Sequence, residues 1–212
     1  MRRRIRGIGV ALSALLAWSG ATMAQAAGDI DPADMIILVA PMEAMDAQKE
    51  KLKSEGRLSD ANMPIYRPLG GGLVELLVID HHGGFEVPQL WMFEKIFKDG
   101  QDKTWNMALR NTNHLTDPVQ FKTEDNGMVV VTSVLGPSDS VLIEDQIWSA
   151  PELKGVGDIV VLVDQRGLIV GHTRNPKQLR ELKGEVALGA NDPNLILKTL
   201  LVRRGDHWEA YP

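Results

Sequence analysis

Ile159-Val160-Val161-Leu162-Val163-Asp164-Gln165-Arg166-Gly167-Leu168-Ile169-Val170-Gly171-His172 is the stretch on which the fold turns. Two apolar, β-branched runs flank Gln165-Arg166-Gly167, which predicts a β-hairpin with a tight turn. Runs that are apolar throughout, with no alternation, are what a sheet covered on both faces requires. Directly after it, Asn175-Pro176 places a cap before a proline at the first helical position. The pattern predicts a helix to Lys183, stopped at Gly184. Asp192-Pro193 repeats the device, and Leu195 to Arg204 predicts a second helix ended by Gly205. Arg203-Arg204 then sits where the helix macrodipole favours positive charge.

Towards the N-terminus, Met128 to Val134 is a Val-rich strand, and Asp139 to Trp148 fits a strand or a helix equally well. Trp105 to Arg110 suggests a short strand, and His114 to Pro118 a loop. Pro88 opens a helix with an apolar face of Leu90, Met92, Phe93, Ile96 and Phe97, stopped by Gly100. Trp91 and Phe93 within it read as core. Leu73 to Ile79 and Met35 to Val39 are further apolar strands. Glu43 to Glu55 is a polar helix stopped by Gly56. Residues 57–72, with Pro64, Pro68 and Gly70-Gly71-Gly72, read as an extended loop. Strands alternating with helices define an α/β class. The expectation is a single domain over 35–212, with a central mixed sheet and helices on both faces.

This order resembles the thioredoxin fold. Gly155 to Gly171 with the helix at Lys177-Gln178-Leu179 looks like that family's closing hairpin and helix. Leu73–Ile79, the loop 80–87 and the helix from Pro88 would take the places of its strand, active-site loop and first core helix. The loop His81-His82-Gly83-Gly84 has no cysteine, and Asp158 stands near where the family places a proline before the hairpin. The resemblance therefore implies a redox-inactive member, and such members serve as binding or assembly modules.

The chain starts with Arg2, Arg3, Arg4 and Arg6, an apolar run from Ile8 to Trp18, and Ala24-Gln25-Ala26. Basic, apolar and small-residue segments in that order predict a signal peptide over 1–26, followed by a disordered lead over 27–34 and a periplasmic or secreted mature chain. The apolar run is shorter than the roughly 20 residues that span a bilayer, and no later stretch reaches that length. No integral membrane span is expected in the mature chain. Loss of the four arginines moves the formal net charge from −5 to −9. An acidic surface disfavours nucleic acid and anionic lipid. The 212 residues contain no cysteine, which removes disulfide and thiol chemistry.

Asp80-His81-His82 ends an apolar strand, where open α/β sheets place ligands. Val78 to His82 also resembles the motif of the metal-dependent phosphoesterases named for Asp-His-His. That family needs an upstream pair of aspartates, and the nearest candidate, Asp46, lies within a polar helix. His81, His82, His114 and His172 lack helical i, i+4 spacing, and adjacent histidines on a strand face opposite ways. Gly70-Gly71-Gly72 lacks the Lys and Ser/Thr of a phosphate loop. Ser133, Ser138 and Ser140 lie in no nucleophile elbow, and Glu124-Asp125 and Glu144-Asp145 are side-by-side carboxylates. No catalytic residue, cofactor or resident metal is expected. The function expected is a non-catalytic accessory protein that binds a protein partner in envelope assembly, secretion or conjugative transfer. One alternative is a metal-dependent hydrolase using Asp80 and His82. The other is a small-molecule binding or sensor module with a pocket near the Val-rich strand. The candidate ligand or partner surface is Asp80, His81, His82, Gly83, Gly84, Asp158 and His172. Trp148 and Trp208 are added as exposed anchors.

Overall fold

A computed structural model describes residues 30–81, 85–192 and 194–212. The segment 1–26 expected to be a signal peptide, the start of the expected lead, His82-Gly83-Gly84 and Pro193 lie outside the described residues. The strands are β1 (Met35–Pro41), β2 (Tyr66–Gly70), β3 (Leu73–Asp80), β4 (Phe85–Glu86), β5 (Val119–Thr123), β6 (Val129–Ser133), β7 (Ile159–Asp164), β8 (Gly167–His172), β9 (Leu200–Arg204) and β10 (His207–Tyr211). The helices are α1 (Met42–Ser54), α2 (Phe93–Ile96), α3 (Gln101–Thr116) and α4 (Pro176–Leu188).

The strands form one sheet in the order β1-β3-β2-β10-β9-β7-β8-β6-β5, with β4 paired to β3. All pairs are antiparallel except β2 with β10, so the sheet is mixed. Ten strands exceed what a thioredoxin fold holds. What the chain shares with the expectation is the mixed α/β sheet. The hairpin that opened the sequence reading forms in register, from Ile159 opposite His172 to Asp164 opposite Gly167.

Helices cover both faces. Ile37, Leu77, Val161, Leu168, Val131 and Leu201 share one face with Trp105 and Ala108 of α3. On the opposite face Ile36, Leu38, Val74 and Leu76 meet Met45 of α1. Val160, Leu162, Leu200 and Val202 there meet Leu182 of α4. This is why β1 is apolar throughout and β3 and β7 nearly so, broken only by Glu75 and Asp80 in β3 and by Asp164 in β7. β1 is an edge strand, and its outer polar groups are covered. Ile37 N–H donates to Thr112 Oγ1 (2.7 Å), Ser140 Oγ donates to Ile37 C=O (3.3 Å), and Asn111 Nδ2 donates to Met35 C=O (2.8 Å). Such bonds close an edge that would otherwise template pairing with another chain.

The two sides of the sheet meet at one narrow seam. β2 and β10 register only at Gly70 opposite Trp208. Gly70 has φ +109°, and a Cβ there would overlap the Trp208 carbonyl, so a side chain cannot enter the seam.

The sequence expectations need five corrections. Residues 57–72 are not one loop, because β2 occupies Tyr66–Gly70. The helix expected from Pro88 shrinks to a 3-10 turn at Leu90–Met92 and the single turn of α2. Trp105–Arg110 and His114 belong to α3, whose buried stripe is Thr104, Trp105, Ala108, Thr112 and Thr116. Three of those five residues are threonine, which hides helical periodicity in a hydropathy reading. Leu195–Arg204 is not a helix: β9 starts at Leu200, and Gly205 makes the hairpin turn to β10. Finally, Gly184 does not stop α4, which continues to Leu188. Nothing lies within 4 Å of a Cβ built on Gly184. Gly184→Ala is therefore expected to raise stability by about 0.5–1 kcal/mol, through helix propensity and a less flexible unfolded chain. A thermal melt that drops in this variant would contradict a continuous α4.

Candidate functional site

The structure separates the residues that the sequence reading grouped. Asp80 ends β3 and His172 ends β8, five places apart in the sheet. His81 is exposed and its Nε2 lies 2.9 Å from Glu86 Oε2, across the β3–β4 pair. His82, Gly83 and Gly84 lie outside the described residues. Asp158 accepts from Arg204 Nη1, tying the start of β7 to the end of β9. Among the described residues no group of three His, Asp or Glu side chains is placed to hold a metal ion.

Trp148 and Trp208 are not surface anchors. They are 8% and 3% exposed and meet edge to face, with ring centroids 4.8 Å apart. The Arg203 guanidinium lies 5.7 Å from the Trp148 ring and 5.5 Å from the Trp208 ring, and donates to Asp145 Oδ1 at 2.8 Å. Both tryptophans are core, and their role is cohesion across the seam.

Segment 138–144 is a buried strap. Ser138–Ile143 is a 3-10 stretch with every residue buried, packed against β1, α3 and β6. It carries two carboxyl groups. Burial pushes Asp139 up to about 7, helped by the negative charge of Asp164. Hydrogen bonds from its own backbone N–H and from Ser140 N–H (3.0 Å) oppose the shift. Burial also raises Glu144, which accepts from Thr116 Oγ1. Thr112 donates its hydroxyl to the Ala108 carbonyl one turn back (2.8 Å), while the single Thr116 proton goes to Glu144. The strap is thus a polar band inside the core. Neither carboxyl group lines the cavities described below.

Two concavities among the described residues bear on a site. The larger encloses about 530 Å³ and is walled by Met45, Leu58, Ile65, Leu90, Phe93 and Trp105. Asp46, Lys49 and Asp60 supply charge at the same walls. Leu58, Leu90 and Phe93 expose 42%, 36% and 37% of their surface, and the neighbouring Trp91 exposes 51%. Trp91 and Phe93, expected in the core, are therefore outside it. The run 90–97 is too apolar for one short turn, so Met92, Ile96 and Phe97 go inward and the rest are left out. That density was the signal available in the sequence. Trp105 is 2% exposed, yet its indole N–H has no acceptor among the described residues. The Arg67 guanidinium stacks 4.6 Å from its ring and pairs with Glu75.

The smaller cavity encloses about 310 Å³ between the end of β8, the start of α4 and the turn before β6. His172 and Gln178 form its buried wall, with Lys154, Gly155, Arg174 and Gly127 around them. Of the sequence-derived surface candidates among the described residues, His172 alone lines either of these two cavities. Gln178, Arg174 and Lys154 carry no local sequence signal, since their convergence depends on the α4 cap. No protein-family model, curated protein or solved structure matches the chain.

Proposed function

We propose that the protein is a non-catalytic binding protein of the periplasm or extracellular space, and that it holds an apolar segment of a partner protein in the larger groove. The observation that carries this reading is the convergence of Leu58, Leu90 and Phe93, flanked by Trp91, on one concave surface. Scattered exposed apolar residues need no explanation, but a contiguous set rimmed by charge is the signature of an interaction surface. Aromatic side chains at such a surface carry most of the binding energy. The leader at Arg2–Ala26 supports the compartment. A thioredoxin-like core without its cysteine pair would suit the same assembly role.

The test is site-specific photocrosslinking in cells with the full chain. A photoreactive residue at Phe93 is expected to give a discrete adduct. Adding Leu90→Asp lowers its yield about tenfold, since hot-spot losses exceed 1 kcal/mol. Leu188, 84% exposed and outside the groove, is the control and gives no adduct. Equal labelling from positions 93 and 188 would overturn the proposal.

A further inference from the structure

We propose that the smaller cavity is a binding site for a small organic carboxylate with a short apolar body. The starting point is Gln178, which is only 4% exposed. Its Oε1 accepts from His172 N–H at 3.1 Å. A backbone N–H can only donate, so that bond fixes which end of the amide is oxygen. Nε2 is left as a donor, and it has no acceptor among the described residues. It lies 3.5 Å from the point where Gly127, with φ +79°, would carry a Cβ. Gly127 and Gln178 both line the cavity, so this donor faces a space that glycine keeps open.

Three further features give the space one preference. Lys154 and Arg174 line it, and neither forms an ion pair among the described residues. The cavity adjoins the N-terminus of α4, a helix of 13 residues, whose macrodipole adds positive potential. Asn175 Oδ1 already caps the helix through Gln178 N–H (3.2 Å), so the helix end contributes field and the side chains contribute the bonds. Glu152 is the one acid in the wall, against two cations. The fourth feature is the floor. His172 is 6% exposed, with Nε2–H donating to the Leu153 carbonyl at 3.0 Å. Gly155 lies against the ring so closely that a Cβ would overlap it. The imidazole is therefore fixed in place as a wall. Val156, 64% exposed, and Pro176 bring apolar surface to the lining. An oxyanion with an aliphatic tail matches donors on one side and apolar surface on the other. A volume of about 310 Å³ is at the small end of sites for such molecules.

The experiment is a titration of the isotopically labelled full chain, followed by NMR, at constant ionic strength. The probes are acetate, butyrate, hexanoate and inorganic phosphate. The expected result is saturable shifts at the Gln178 side-chain amide and at the Gly127 and Gly155 N–H groups, tightening from acetate to hexanoate. Arg174→Gln leaves the fold intact and weakens hexanoate about tenfold, the loss of one charge-assisted hydrogen bond. Gln178→Glu, which keeps the Oε1 acceptor, abolishes binding by replacing a donor with a negative charge. Phosphate binding as tightly as hexanoate, or affinity independent of chain length, would overturn the apolar half of the proposal. Absence of saturable shifts with every probe, or an Arg174→Gln titration equal to the native one, would overturn the site itself.

Discussion

Trp208→Ala is expected to lower the unfolding free energy by about 3–5 kcal/mol, the range for removing a large buried aromatic residue. The side chain packs edge to face on Trp148, lies beside the Arg203 guanidinium and belongs to the core cluster on the α3 face. Its own backbone faces Gly70 across the seam, so the cavity would open beside the weakest joint in the sheet. Denaturant unfolding gives the comparison. His207→Ala, at an exposed position of the same strand, should stay within about 0.5 kcal/mol of the native protein. If Trp208→Ala were as mild as His207→Ala, the side chain would not be core and the surface-anchor expectation would return.

Asp139→Asn is the second. In the folded chain this carboxyl titrates near 7, against an ordinary value of 3.8. The folded state therefore holds a proton that the unfolded state has released between those values. Stability must fall as pH rises from about 4 to about 7, and the loss is then constant above it. Three pKa units correspond to about 4 kcal/mol. Asn keeps the shape and removes the charge, so the variant should match the native protein near pH 4 and exceed it by up to that amount at pH 8. Urea unfolding at pH 4, 6 and 8 reads this directly. Parallel pH curves for the two proteins would show that Asp139 is solvated and that the strap is not buried.

The parts of this fold legible in the sequence were those where one residue run does one job. β7, β8, β1 and β3 are apolar in long runs, without alternation, because both sides of each are covered, and no other element competes for that pattern. Gly56 and Asn175-Pro176 marked true helix ends because backbone geometry, not packing, decides there. Elements whose identity depends on a distant partner were missed. Leu200–Arg204 has residues suited to either period, and only pairing with β7 and β10 makes it a strand. The strap 138–144 fitted a strand or a helix equally well and is instead a 3-10 stretch, and nothing local says that its serines and carboxyls lie inside the core. The site was less legible than the fold. His172 was found through its place in the hairpin, whereas Arg174 and Gln178 just beyond it meet Lys154 from a separate segment. Leu90, Trp91 and Phe93 were noticed but sent inward, because the sequence does not say that their helix has only one turn.

The seam between β2 and β10 has a consequence for how the molecule is made. β10 follows every other strand in chain order, yet it lies fourth across the sheet. A ribosome delivers β1, β2 and β3 first, and the strand that ties them to the remainder last. Until then the early and late strands are joined by side-chain packing, through the strap and α3, but by no ladder of backbone hydrogen bonds. The backbone ladder of the sheet is therefore completed by its last strand, when Trp208 arrives beside Gly70 and joins two halves that side chains already hold together.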